Sequence, residues 1–150
     1  MADLQRRLRY GVTPVITHPE RNLVLARRPE RSAEWIDWGC KVQLTAQSCS
    51  GDFGERLQRL SRRWLGSGWV HLIASDAHRP TGRSPDAPGE AWARVAEWLG
   101  EDAATLLTLD NPRRLLEGAD LSALPPCTSA DTTPVGGDWL RFWPWHRRAG

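Results

Sequence analysis

At 150 residues, with 20 basic against 18 acidic side chains and a net charge of +2, the chain has the length of one domain with a real core. The charge balance excludes the strongly basic footprint of a nucleic-acid binder, because Arg6, Arg7 and Arg9, and again Arg59, Arg62 and Arg63, have the spacing of solvated helix faces. Cys40, Cys49 and Cys127 are too few and too irregular for a disulfide framework or a zinc site, which fits a reducing, cytoplasmic compartment. No signal peptide or membrane span is expected, since Met1 to Tyr10 carries three arginines and no apolar run.

In chain order, helical spacing over Ala2 to Tyr10 stops at Gly11, and the β-branched run Thr13 to Thr17 reads as a strand ending on His18-Pro19. A second cycle follows: Ser32 is expected to cap a short helix over Glu34 to Trp38, closed by Gly39, with Lys41 to Thr45 as the next strand. In the third cycle Phe53, Leu57, Leu60, Trp64 and Leu65 recur at helical period. Gly66 and Gly68 end that helix, and Trp69 to Ala74 forms a buried strand running into Ser75-Asp76-Ala77-His78. A Pro/Gly-rich loop from Arg79 to Gly89 leads to a helix from Glu90 to Leu99 and a helical stretch at Asp102 to Leu109. Asn111-Pro112 then opens a last short helix, Arg113 to Leu116. Repeated helix-strand cycles with short aliphatic strands predict an α/β fold, about three parallel strands covered by helices. Beyond Ser122 the apolar period gives way to Pro, Thr, Gly and Ser, so residues 119–150 are expected to be a disordered tail behind a domain spanning 1–118.

Reactive groups in parallel α/β proteins collect at the C-terminal ends of strands. His18, Asp76 and His78 all fall there, and Asp76 and His78 are two apart, so an extended chain would turn them to the same side. Imidazole and carboxylate on one rim suit a divalent ion such as zinc, manganese or iron. A single histidine at a strand end is more often a satisfied polar residue than a ligand. Here, however, two strand ends offer such groups and each is followed by an arginine, Arg21 and Arg83. A guanidinium is a planar fork for two phosphate oxygens, although each arginine alone reads equally well as a surface ion-pair former, Arg21 with Glu20 or Asp86. Cys49 to Arg56 is one residue too long for a cysteine-phosphatase loop and lacks its glycines. Asp52-Phe53-Gly54 copies a kinase triplet without the rest of a kinase, and His71 reads as structural.

Four strings in order, Pro14-Val15-Ile16-Thr17-His18-Pro19-Glu20-Arg21, Gln43 to Ser48 with Gly51-Asp52-Phe53-Gly54, Ala74-Ser75-Asp76-Ala77-His78, and Asn111 to Leu116, resemble successive landmarks of the PHP-type protein tyrosine phosphatases of the CpsB/CapC group, which belong to bacterial capsule and exopolysaccharide operons. The resemblance implies the C-terminal part of a distorted (β/α)7 TIM-like barrel and a divalent metal centre, usually manganese, with zinc or iron as alternatives. It implies His18, Asp76 and His78 as metal ligands and Arg21 and Arg83 as phosphate-binding groups. The implied reaction is hydrolysis of phosphotyrosine on a polysaccharide-pathway tyrosine kinase, with a metal-activated water as nucleophile and no cysteine involved. Nothing before His18 matches the family's opening His-x-His strand, so the chain is expected to be a truncated form with one ion's worth of ligands. Its N-terminal half would then lie on another polypeptide, or the start would be misplaced, or the chain would be a decayed fragment; a homo-oligomer is the other partner considered. Alternatives are another PHP phosphoesterase such as a histidinol phosphatase, and a non-catalytic fragment or pseudoenzyme acting as a binding module. The terminal Trp139, Leu140, Phe142, Trp143 and Trp145, interleaved with Arg141, His146, Arg147 and Arg148, suggest weak membrane association through the tail.

Overall fold

The computed structural model describes residues 2–78 and 87–126. Arg83 and Asp86, Cys127, and the tryptophan- and arginine-rich terminus lie outside the described residues.

Three strands, β1 (Val15–Thr17), β2 (Lys41–Thr45) and β3 (Leu72–Ala74), form a parallel sheet in the order β1-β2-β3. Val15 is opposite Lys41, Thr17 opposite Gln43, and Thr45 opposite Ala74. Spatial order follows chain order, so all three strands deliver their C-terminal ends to one rim. β2 coincides with its expected span, and as the central strand it buries Val42 and Leu44 completely. The other two strands are shorter than expected, for identifiable reasons. Pro14 has no N–H to give to a ladder, though its carbonyl accepts from Lys41 N–H at 2.9 Å. Ahead of β3, Trp69 N–H is drawn back to Trp64 O at 3.2 Å to close the preceding helix. Val42 N–H then donates to the Nδ1 of His71 at 3.2 Å where a strand carbonyl would otherwise stand, so regular pairing begins only at Leu72.

Between β1 and β2 lie α2 (Leu23–Arg27) and α3 (Glu30–Asp37). The sequence reading missed α2, whose only strong signal is its cap: Asn22 Oδ1 accepts from Val24 N–H at 2.9 Å and Leu25 N–H at 3.2 Å. Ser32 does not cap α3. The helix starts from Pro29, already at helical φ −62° and ψ −24°, and Ser32 is buried inside it. Between β2 and β3 lie α4 (Ala46–Ser50) and α5 (Glu55–Gly66), and the chain begins with α1 (Ala2–Arg9). Trp64 and Leu65 of α5 join Val42, Leu44, Val70 and Ile73 in the core, and Trp64 meets Trp69 edge to face at 5.9 Å. Phe53 is not part of α5 but of the turn before it.

α6 (Ala87–Leu99) begins three residues earlier than Glu90 and contributes Ala91 and Val95 to the core. From α7 (Glu101–Thr105) the chain runs without interruption through a π-helical turn, Leu106–Asp110, into α8 (Asn111–Leu116). The cause of the wide turn is Pro112, which cannot donate to the Thr108 carbonyl and whose ring would strike it. Asn111 N–H accordingly reaches back five residues to Leu106 O.

The packed body extends past the expected boundary at residue 118. Asn111 is fully buried; its Nδ2 donates to His71 O at 2.6 Å and Ser122 O at 2.7 Å, while its Oδ1 accepts from Ser122 N–H at 3.0 Å. Leu121 is buried and Leu124 packs on the core. Among the described residues the sheet is open, with half-exposed β1 along one edge, and no described helix is long and apolar enough to cross a membrane.

Candidate metal centre

β1 ends where His18 N–H donates to Gln43 O at 2.9 Å. The chain then turns sharply through His18 itself, at φ 40° and ψ 48°, into a 3-10 turn over Pro19–Arg21. Beneath this turn sits Glu20, fully buried. Its Oε1 accepts from Thr45 N–H at 3.1 Å and from Ser48 Oγ–H at 2.8 Å, and its Oε2 finds no partner among the described residues. Thr45 is the N-cap of α4 and makes no side-chain cap of its own, so Glu20 caps that helix from another part of the chain. Burial pushes the Glu20 carboxyl above its usual range. The hydrogen bonds from Thr45 and Ser48 and the nearby His18 oppose that rise without cancelling it.

After β3 the chain turns in the same way, with Asp76 at φ 53°; His18 and Asp76 are the two non-glycine residues at positive φ among those described. The expectation that Asp76 and His78 share a side of an extended chain therefore fails, since the backbone is left-handed between them. They nevertheless approach each other. His78 Nδ1 lies 2.6 Å from Asp76 O and 3.8 Å from Asp76 Oδ1. A carbonyl can only accept, so the shorter contact places the ring proton on Nδ1 and leaves Nε2 as the atom with a lone pair in the neutral ring. Arg21 reaches over from β1, its Nη1 3.6 Å from Asp76 Oδ2 and its Cζ 4.9 Å from the centroid of the Phe53 ring. Among the described residues its ion-pair partner is Asp76, while Glu20 is committed to α4.

His18, Arg21, Asn22, Asp76 and His78 line one open depression of about 480 Å³ at the rim. All three expected ligands share it with one of the two expected arginines; the other, Arg83, lies outside the described residues. Two imidazoles and a carboxylate suit a borderline divalent ion in kind. Among the described residues, however, no three His, Cys, Asp or Glu side chains are drawn together closely enough to form a finished site. From the sequence Glu20 reads as a surface ion-pair partner for Arg21 and Phe53 as the first apolar position of a helix, while Asn22 carries no expectation; the structure gives each a different place. The place of Glu20 between two site residues is a sequence signal, but its burial and its partners 25 and 28 residues away are tertiary facts. Cys40 and Cys49 are buried, and burial raises both thiols. Cys49 is pushed furthest, with the Glu20 charge adding to the effect, so neither is suited to act as a thiolate.

The capsular polysaccharide synthesis family CpsB/CapC matches residues 1–117. The tyrosine-protein phosphatase CpsB of Streptococcus pneumoniae is 35% identical over 114 residues, which cover 73% of this chain and 46% of that protein. The tyrosine-protein phosphatase YwqE of Bacillus subtilis is 32% identical over 124 residues, 83% of this chain and 47% of that protein. A crystal structure from work on YwqE and CpsB, described as unique metal-dependent tyrosine phosphatases, superposes with a TM-score of 0.79 at 28% identity, covering 91% of this chain and 52% of the other. The chain thus spans about half the length of these relatives, as the sequence resemblance led one to expect. With a family match over most of its length and a shared fold, the chain belongs to the CpsB/CapC family.

Proposed function

We propose that this chain supplies one side of a metal-dependent phosphotyrosine phosphatase site, acting on a tyrosine-phosphorylated protein such as a polysaccharide-pathway kinase. The observation that carries this reading is that His18, Asp76 and His78 line one depression at the strand ends together with Arg21. His18, Asp76 and His78 would hold a divalent ion, manganese by family resemblance. When bound, such an ion activates water and neutralises charge developing on a phosphoryl group. Arg21 offers in-plane N–H donors to phosphate oxygens. Arg83 is assigned the same task on sequence grounds.

Because the chain spans about half the length of its relatives, full activity is assigned to an assembly that also provides the other half. The test has two stages. Calorimetric titration of residues 1–150 with manganese or zinc should show binding that weakens sharply in Asp76→Ala and His78→Ala; equal affinity in all three removes the metal site. Turnover of a phosphotyrosyl peptide, with histidinol phosphate as the competing small substrate, is then compared for this chain and for one extended by the missing half. Robust turnover by the short chain would overturn the incomplete-site reading, and preference for histidinol phosphate would overturn the substrate assignment.

A further inference from the structure

We propose that Phe53 is a positioning residue for phosphate recognition: its ring carries the Arg21 guanidinium and presents it, already oriented, to the incoming phosphoryl group. The inference rests on the phosphatase reading and adds to it a residue that touches neither metal nor phosphate.

Phe53 is held on a turn with little freedom. The turn is bracketed by Gly51 at φ 103° and Gly54 at φ 89° and closed by Gly54 N–H to Gly51 O at 2.8 Å. Gln58 clamps it from α5, its Nε2 donating to Cys49 O at 3.1 Å and Ser50 O at 2.9 Å. These are carbonyls at the end of α4 that the helix itself leaves unpaired. A Cβ on Gly51 would come within 3.0 Å of that same Gln58 amide. Arg21 is fixed to the opposite end of α4, because its neighbour Glu20 bonds Thr45 N–H and Ser48 Oγ–H at the helix start. The one short helix therefore sets both partners of the Arg21–Phe53 contact.

A guanidinium resting face-on against a ring would leave recognition intact. Stacking uses the face of a guanidinium, whereas its N–H donors lie in the plane. Arg21 can rest on Phe53 at 4.9 Å, approach Asp76 at 3.6 Å, and still aim an edge into the depression it helps to line. An arginine without the ring would have to order a long side chain each time phosphate binds. The ring removes part of that cost beforehand.

The experiment measures inorganic phosphate binding to the manganese-loaded full chain by calorimetry, in the wild type, Phe53→Leu, Phe53→Trp, Arg21→Ala and the Phe53→Leu/Arg21→Ala double variant. Phe53→Leu should weaken phosphate binding by about three- to tenfold, the range expected from a partly exposed cation-π contact. Phe53→Trp should restore it, and manganese affinity should be unchanged in both. On the Arg21→Ala background Phe53→Leu should have no further effect, since the ring acts through the guanidinium. An equal loss with and without Arg21, or no loss at all, overturns the proposal. A wild type that binds manganese but no phosphate removes phosphate recognition from this side of the site, a failure separate from that of the positioning claim. In that event ¹⁵N relaxation of the Arg21 Nε–H still decides the positioning claim: equal order in the wild type and Phe53→Leu overturns it.

Discussion

Lowering the pH from 7.5 to 4 should destabilise the protein through one buried ring, that of His71. Its Nδ1 accepts from Val42 N–H at 3.2 Å, its backbone N–H donates to Val42 O at 2.9 Å, and its carbonyl receives Asn111 Nδ2 at 2.6 Å. A proton on Nδ1 would set a donor against a donor in a site with 2% of the residue exposed. Burial first, and Lys41 second, push the imidazole down from 6.5 to about 4. The folded value lies below the unfolded one, so between the two only the unfolded chain takes up the proton. Stability is therefore full above about pH 6.5 and is lost as pH falls towards about 4. At about 1.4 kcal/mol per pH unit the whole span sets a ceiling of about 3 kcal/mol, a large share of the stability of a small domain. Glu20 acts in the opposite sense: its folded value is raised, so its contribution is fullest below the unfolded value and disappears as pH rises through the folded one. The assay is therefore a difference measurement, urea unfolding followed by tryptophan fluorescence at several pH values for the wild type and His71→Asn. The asparagine oxygen can accept from Val42 N–H but does not titrate. The wild type should lose about 2 to 3 kcal/mol relative to the variant between pH 6.5 and 4. Parallel curves, or an NMR titration of the His71 ring centred near 6.5, would refute the argument.

Gly68→Ala should cost about 2 to 3 kcal/mol, since a Cβ there meets Leu124 O at 2.6 Å on a backbone at φ 70°. Gly100→Ala, at φ 93° with open space around it, should cost only about 1 kcal/mol for the backbone conformation; equal urea midpoints for the two would count against the close approach. Glu20→Ala leaves Thr45 N–H and Ser48 Oγ–H without their acceptor, for a loss of about 2 to 5 kcal/mol. Glu20→Gln should recover much of it, and a denaturation midpoint for Glu20→Ala equal to that of the wild type would show the capping role to be idle. For the terminus, a chain ending at Gly137 should sediment less with anionic liposomes at low salt than the full chain; equal recovery would end the membrane proposal.

Much of the fold was legible because local signals and tertiary demands agree. β2 reads correctly from Lys41 to Thr45 because alternation, β-branching and central position coincide, and α5 reads correctly through Trp64 and Leu65. Errors cluster where a side chain from elsewhere decides. β3 was overextended because the His71 ring, not a backbone carbonyl, serves Val42. Residues 119–126 read as tail because nothing in Ala119 to Pro126 announces the Asn111 clamp. Of the candidate site, the residue types and their strand-end positions could be read directly. What could not be read was the second layer: a carboxyl buried beneath Arg21 and a ring behind it, each reaching its partner across more than 20 residues of sequence.

The backbone offers an independent test of whether the rim is shaped for binding. Left-handed conformations are unfavourable for residues with a Cβ, persist only when the surroundings impose them, and gather at functional sites. Here they fall on His18 and Asp76, two of the three expected ligands, whereas the other positive-φ positions among the described residues are glycines. If the conformation is kept for the sake of the carboxylate, glycine at position 76 should relieve strain at the expense of binding. Asp76→Gly and Asp76→Ala both remove the carboxylate and its approach to Arg21 at 3.6 Å. They differ in whether a Cβ must be accommodated at φ 53°. Asp76→Gly should therefore be the more stable of the pair by about 1 kcal/mol in metal-free urea unfolding, while both lose manganese binding. An alanine variant as stable as the glycine variant would show that the turn relaxes freely, and that its shape owes nothing to a ligand.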